Sequence, residues 1–182
     1  MKILFISEGY SIGGTSRVMS RLSEIFINGG FEVDILVPNY RANEAYPIMP
    51  ECNLYYVAKD ENIKSKFLLG IDLVKFFFKL IAINKTNDYD YVISFWNYVN
   101  LLLLLTPIKL KTKKIICSHI PYGSLKLHWK ILTRIMYPLA DFVVVLNERE
   151  KEIYNKFCSR VKIIENPLPV RSTNSIKNEQ KK

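Results

Sequence analysis

The chain has 182 residues, 49% of them hydrophobic, and 26 lysines and arginines against 17 acids give it a net charge of +9. That length suits one domain able to bury a core without staples. The positive excess favours anionic partners (phosphorylated small molecules, a membrane surface, nucleic acid), but nucleic acid ranks low because no zinc-finger, RNP or recognition-helix pattern is present.

In chain order, Lys2 to Ile6 reads as a strand, followed by a polar loop and the pair Gly13-Gly14. Residues 14–28 carry Val18, Leu22, Ile25 and Phe26 at helical spacing, with Arg17, Arg21 and Glu24 off that face, and Gly29-Gly30 marks the helix end. Glu32 to Val37 is a second strand stopped by Pro38, residues 39–50 an irregular loop, and Asn53 to Ala58 a third strand. A long helix is expected over 64–85, a strand over 90–95, a short helix from Tyr98 to Thr106, and a strand over 113–117. A helix over 124–138, the strand-like run Asp141 to Leu146, a helix from Glu148 to Phe157 and a strand at Val161 to Ile164 complete the series. From Arg171 the chain is polar and aperiodic, as a linker or frayed tail would be.

Strands of continuous β-branched residues alternating with helices predict an α/β fold. The expected form is a Rossmann-like, doubly wound and mainly parallel sheet with helices on both faces. Ligands bind such sheets beyond the carboxyl ends of the strands. That rule selects Gly13-Gly14, Phe95 to Asn97, Ser118-His119 and Asn147-Glu148, which are expected to converge on one cleft.

Glycines opening a helix let a ligand approach the backbone and reach positive φ without a clash, and the helix amino end favours an anion. The same pair is also compatible with a plain tight turn. It is neither the G-x-G-x-x-G dinucleotide fingerprint nor a P-loop. Cys52, Cys117 and Cys158 are scattered without a C-x-x-C pair, which points to buried reduced thiols and no metal site. With an opening apolar run too short for a signal peptide, a cytoplasmic location is expected.

Taken together, M-K-I-L-F-I with Gly-Gly-x-x-Arg-Val, the Asn28 to Val33 turn, Tyr89 to Ser94, Ser118-His119, Ala140 to Glu148 and Val161 to Pro167 form an ordered set. By that set, residues 1–169 resemble the N-terminal, acceptor-side domain of a GT-B glycosyltransferase of retaining family 4. Two departures stand out: Thr15 and Ser16 replace the family's Ala-Glu after the glycines, and Asn147 replaces Ser before Glu148.

The resemblance implies a nucleotide-sugar donor, a glycan or lipid-linked acceptor and no metal cofactor, in cell-surface polysaccharide synthesis. It implies that Gly13, Gly14 and Thr15 face the donor diphosphate. His119 is implied near the reacting sugar as the catalytic-site residue, beside its plainer reading as a structural hydrogen-bonding histidine. Trp96 and Asn97 are expected to line the acceptor pocket, although a Trp there equally caps a core. Arg17 faces phosphate or is merely solvated, and Asn147 suits a helix N-cap.

The family's donor-binding second domain, with its E-x7-E motif, has no counterpart in these residues. The chain therefore reads as an enzyme half, inactive alone, that needs a C-terminal donor domain or a partner subunit. The alternatives are a non-catalytic binding subunit docking onto a separate donor domain and, more weakly, an unrelated nucleotide-binding module.

Two helices raise a membrane question. Residues 66–83 are very apolar, but Asp72, Lys75 and Lys79 make a poor spanning segment, at about 2.5–3.5 kcal/mol per charge. Residues 124–137 place Lys126, Lys130 and Arg134 four apart among apolar side chains. Both are expected either to pack on the sheet or to lie at an anionic lipid surface as a peripheral attachment.

Overall fold

The computed structural model describes residues 1–10, 13–39, 46–58, 66–109 and 111–166. Seven strands form one parallel sheet: β1 (Lys2–Ile6), β2 (Glu32–Asn39), β3 (Asn53–Ala58), β4 (Tyr91–Ser94), β5 (Lys113–Cys117), β6 (Phe142–Val145) and β7 (Val161–Ile163). Five α-helices connect them: α1 (Gly14–Asn28), α2 (Lys66–Thr86), α3 (Asn97–Leu105), α4 (Leu127–Met136) and α5 (Glu148–Tyr154). The strand order is β3-β2-β1-β4-β5-β6-β7, and every pairing is parallel. The expected tail over 170–182 lies outside the described residues, as do positions 40–45 of the loop before β3.

The strands are apolar on both faces because each face is covered. Leu4, Ile6, Leu36, Val92, Ile116, Val143 and Val145 point to one side, where they meet Phe76, Leu80 and Ile83 of α2 and Val99 and Leu103 of α3. Ile3, Phe5, Val33, Ile35 and Val37 point to the other, against Val18 and Met19 of α1. Helices cover both faces unevenly: among the described residues, α1 has its side to itself. Ile25, expected on the buried stripe of α1, is exposed, and Met19 takes its place.

Two local details follow from backbone chemistry. The end of α1 is a Schellman motif, with Gly30 at φ 81. The Gly30 N–H donates to the Ile27 carbonyl and the Phe31 N–H to the Phe26 carbonyl, while the Phe26 and Phe31 rings meet at 5.5 Å. At the other detail, β2 passes through Pro38 rather than stopping before it. The Leu36 carbonyl accepts from Ser7 N–H, so Leu36, and by the two-residue period Pro38, face the β1 side. Strand β1 has already ended at Ile6, so proline's missing donor costs no ladder bond there.

Candidate functional site

The order in which strands are added reverses between β1 and β4: β2 and β3 lie to one side of β1, and β5 to β7 beyond β4. The carboxyl edge at that switch point is the crevice where such sheets take ligands. Phe95 continues β4 by donating its N–H to the Ile6 carbonyl at 3.0 Å, and its ring meets Phe5 edge-on at 5.4 Å. Tyr98 lies beside Glu8, close enough for its hydroxyl to favour the Glu8 carboxylate. Burial holds the Glu8 carboxyl above its ordinary range, and the same burial raises Tyr98.

Glu8 is the residue that sequence reasoning passed over. It occurs only as the end of an apolar run, and the signal available was its place directly beyond a strand on the ligand-binding edge.

The paired glycines begin α1, with Gly13 at the N-cap and extended at φ 175. Neither takes a left-handed φ, and a Cβ at either position would meet nothing within 4 Å. Neither turn geometry nor packing within the described residues calls for glycine here. What remains is clearance above a helix end whose first turn carries no acid. That end presents N–H groups and a positive dipole suited to an anion. Thr15 lies in the same turn, and Arg17 is exposed beside it.

His119 follows β5 on the α1 side and stacks on Phe95, with centroids 5.9 Å apart and planes 21° from parallel. Its Nε2 is buried without a hydrogen-bond partner among the described residues, as is the Ser7 hydroxyl at the end of β1. Burial lowers the His119 pKa, so the ring is neutral at physiological pH and offers a hydrogen bond rather than a charge.

The loop carrying His119 is pinned from below. Ser118 and Tyr154 hydroxyls lie 2.8 Å apart, and the buried Glu150 carboxylate accepts from the Tyr122 N–H at 2.8 Å. Asn147 is the N-cap of α5, its side chain accepting from the Glu150 N–H at 2.9 Å. Asn100 accepts from the Ser94 hydroxyl and donates to the Cys117 carbonyl at 3.2 Å and the Tyr137 hydroxyl at 2.9 Å.

The selected segments line one edge but open into two hollows. Trp96 and Asn97 lie on the α3 side, in a hollow of about 280 Å³ shared with Leu125, Lys126, His128 and Trp129. Both tryptophans of the chain are there. His119 instead closes the upper end of a trough on the α1 side, floored by Ile93, Ile115, Phe142, Val144 and Ile164. That trough is too apolar to hold a nucleotide, whose phosphates need donors and cations. Cys52, Cys117 and Cys158 are buried and free, and burial pushes the Cys52 and Cys117 thiols up to about 12. Among the described residues no three His, Cys, Asp or Glu side chains gather as metal ligands.

An all-parallel sheet of this order, with a glycine-led helix and a half-buried histidine at its switch point, defines a Rossmann-like fold. The chain belongs to Glycosyltransferase Family 4, whose model matches residues 12–171. It is 28% identical, over 92% of its length, to the GalNAc-alpha-(1->4)-GalNAc-alpha-(1->3)-diNAcBac-PP-undecaprenol alpha-1,4-N-acetyl-D-galactosaminyltransferase of Campylobacter jejuni. It is also 28% identical, over 96% of its length, to the amylovoran biosynthesis glycosyltransferase AmsD of Erwinia amylovora. The chain spans about half the length of these relatives, 46% and 48% respectively.

Sucrose-phosphate synthase from Thermosynechococcus elongatus superposes at a TM-score of 0.68 with 14% identity, over 91% of this chain and 48% of that one. The lipopolysaccharide outer core galactosyltransferase WaaB superposes at 0.65 with 20% identity, over 94% of this chain and 47% of that one. The fold is thus one Rossmann-like half of the GT-B architecture, as the sequence resemblance led one to expect.

Proposed function

We propose that this chain is the acceptor-side half of a retaining glycosyltransferase. The reaction moves a sugar from a nucleotide-sugar to a glycan or lipid-linked acceptor in cell-surface polysaccharide assembly, and it needs a donor-binding half that these residues do not supply. The observation that carries this reading is the division of labour at the switch point. An anion-ready helix end and a neutral histidine lie on one side, and an aromatic hollow with Lys126 and His128 at its rim lies on the other. The names of the two curated relatives, one acting on a pyrophosphate-linked glycan and one in amylovoran biosynthesis, support the substrate class.

In this mechanism the α1 N–H groups at Gly14 and Thr15 stabilise negative charge on the departing diphosphate. Neutral His119 accepts or donates a hydrogen bond that orients the transferring sugar, with no charge of its own to desolvate. Trp96 and Trp129 offer apolar faces to an acceptor sugar, and Lys126 lies where an acceptor phosphate is neutralised.

Because the hollow contains both tryptophans, intrinsic fluorescence reads its occupancy directly. A soluble pyrophosphate-linked saccharide should perturb the emission saturably, and Trp96→Phe should weaken that binding. A response to free nucleotide, with none to any saccharide, would instead favour the nucleotide-binding module.

A further inference from the structure

The short helix α5 buries two side chains one turn apart, Glu150 and Tyr154, and both meet the loop that carries His119. Each holds one point of that loop. The Tyr154 hydroxyl lies 2.8 Å from the Ser118 hydroxyl, and the Glu150 carboxylate accepts from the Tyr122 N–H at 2.8 Å. Between these two anchors the chain is only His119-Ile120-Pro121. The Tyr122 ring closes the second anchor. It meets Tyr154 edge-on at 5.8 Å, and the Lys130 ammonium stands 5.9 Å from its centroid.

Glu150 departs from the use its position invites. Asn147-x-x-Glu150 has capping-box spacing, in which the acid at the third helical position reaches back to the N-cap N–H. Asn147 performs its half, accepting from the Glu150 N–H at 2.9 Å. Glu150 instead sends its carboxylate across to Tyr122, 28 residues earlier in the chain. A carboxylate only 7% exposed is costly to desolvate, and the bond obtained for it is one loop amide. His119 is the residue that needs such support. Its Nε2 has no partner among the described residues, so the ring is oriented by the Phe95 stack and by where its backbone is held.

We propose that Glu150 is a positioning residue: by holding Tyr122 it fixes the His119 ring over Phe95 and, with it, the wall of the tryptophan hollow. The loop is shared between the two sides of the crevice. Ser118 and His119 close the α1-side trough, while Ile120, Ser124 and Leu125 line the hollow with Trp96 and Trp129. Tyr122 lies between those two sets, so one carboxylate sets their relative placement. That the placement serves sugar transfer rests on the reading above, whereas the positioning itself does not.

The test follows the His119 imidazole by NMR against pH in the 182-residue chain, in Glu150→Gln and in Glu150→Ala. The signal is assigned by its loss in His119→Gln. Both Glu150 variants remove the same charge, but only glutamine retains an oxygen that accepts from the Tyr122 N–H. Glu150→Gln should therefore keep the parent midpoint. Glu150→Ala should raise it toward the ordinary 6.5, by about half a pH unit or more, as the loosened ring gains water. Tryptophan emission, which reports the hollow, should shift in the alanine variant and not in the glutamine one. Equal midpoints in the two variants, or unchanged emission in a folded alanine variant, overturn the proposal. If the alanine variant does not fold, amide exchange in the parent decides. The Tyr122 N–H should exchange at least about tenfold more slowly than that of exposed Gly123 beside it, and equal rates overturn the proposal. Neither readout requires sugar transfer, so a negative result leaves the acceptor-half reading standing, and failure of that reading leaves these readouts intact.

Discussion

His119 lies flat on Phe95, rings 5.9 Å apart and 21° from parallel, so the residue after β5 rests on the residue that ends β4. The contact places a half-buried imidazole at the edge of the switch-point crevice and shields its Nε2 from water. The buried Nε2 has no partner among the described residues. An unsatisfied polar atom of this kind costs about 1–3 kcal/mol, which a fold retains where a ligand or a second domain completes the bond.

Burial of His119 has a signed consequence for stability. Its folded pKa is lowered, so below the ordinary 6.5 the unfolded chain takes up a proton that the native ring refuses. The His119 contribution is therefore intact above that pH and is lost progressively as pH falls toward the folded value. Denaturant titrations should show a slope from this group of at most about 1.4 kcal/mol per pH unit. The difference between parent and His119→Gln should isolate it; parallel stability–pH curves would show that the ring is not buried neutral.

Asn100 should be the costliest polar residue to remove. It ties Ser94, the Cys117 carbonyl and Tyr137 together beneath the ligand edge. Asn100→Ala leaves three buried groups short of a partner, and a loss of about 2–4 kcal/mol is expected in urea unfolding. A loss below about 0.5 kcal/mol would mean that water replaces it.

Gly13 and Gly14 should separate folding from function. Neither takes a left-handed φ, and neither faces a described neighbour that a Cβ would strike. Gly14→Ala is therefore expected to melt no lower than the parent, and to gain up to about 1 kcal/mol from helix propensity. Joined to a donor-binding half, it should still reduce sugar transfer, because the added methyl occupies the clearance above the helix end. A variant that melts lower would mean that the glycines serve the fold.

The sheet was readable from sequence because parallel strands buried on both faces write themselves as apolar runs. All seven were found, with errors only at their ends, and Pro38 misled because β1 stops two residues earlier on the partnering side. The C-terminal glycine of α1 was equally plain, since a Schellman turn asks for φ above zero at Gly30.

The site was less legible because alternation tells which residues follow strands, not which side of the edge they take. His119 and Trp96 both follow strands, yet they open into different hollows. Glu8 acquires its chemistry only through Tyr98, ninety residues away in the sequence.

The most direct test of the account is sugar transfer from a panel of nucleotide-sugars to a pyrophosphate-linked acceptor. It should be run on the 182-residue chain and on the polypeptide extended through whatever coding sequence follows. Transfer is expected only from the extended form, and its loss in His119→Ala at temperatures where the variant remains folded. Transfer by the 182-residue chain would contradict the claim that a donor-binding half is required. Silence from both forms would contradict the enzymatic reading and leave a binding subunit.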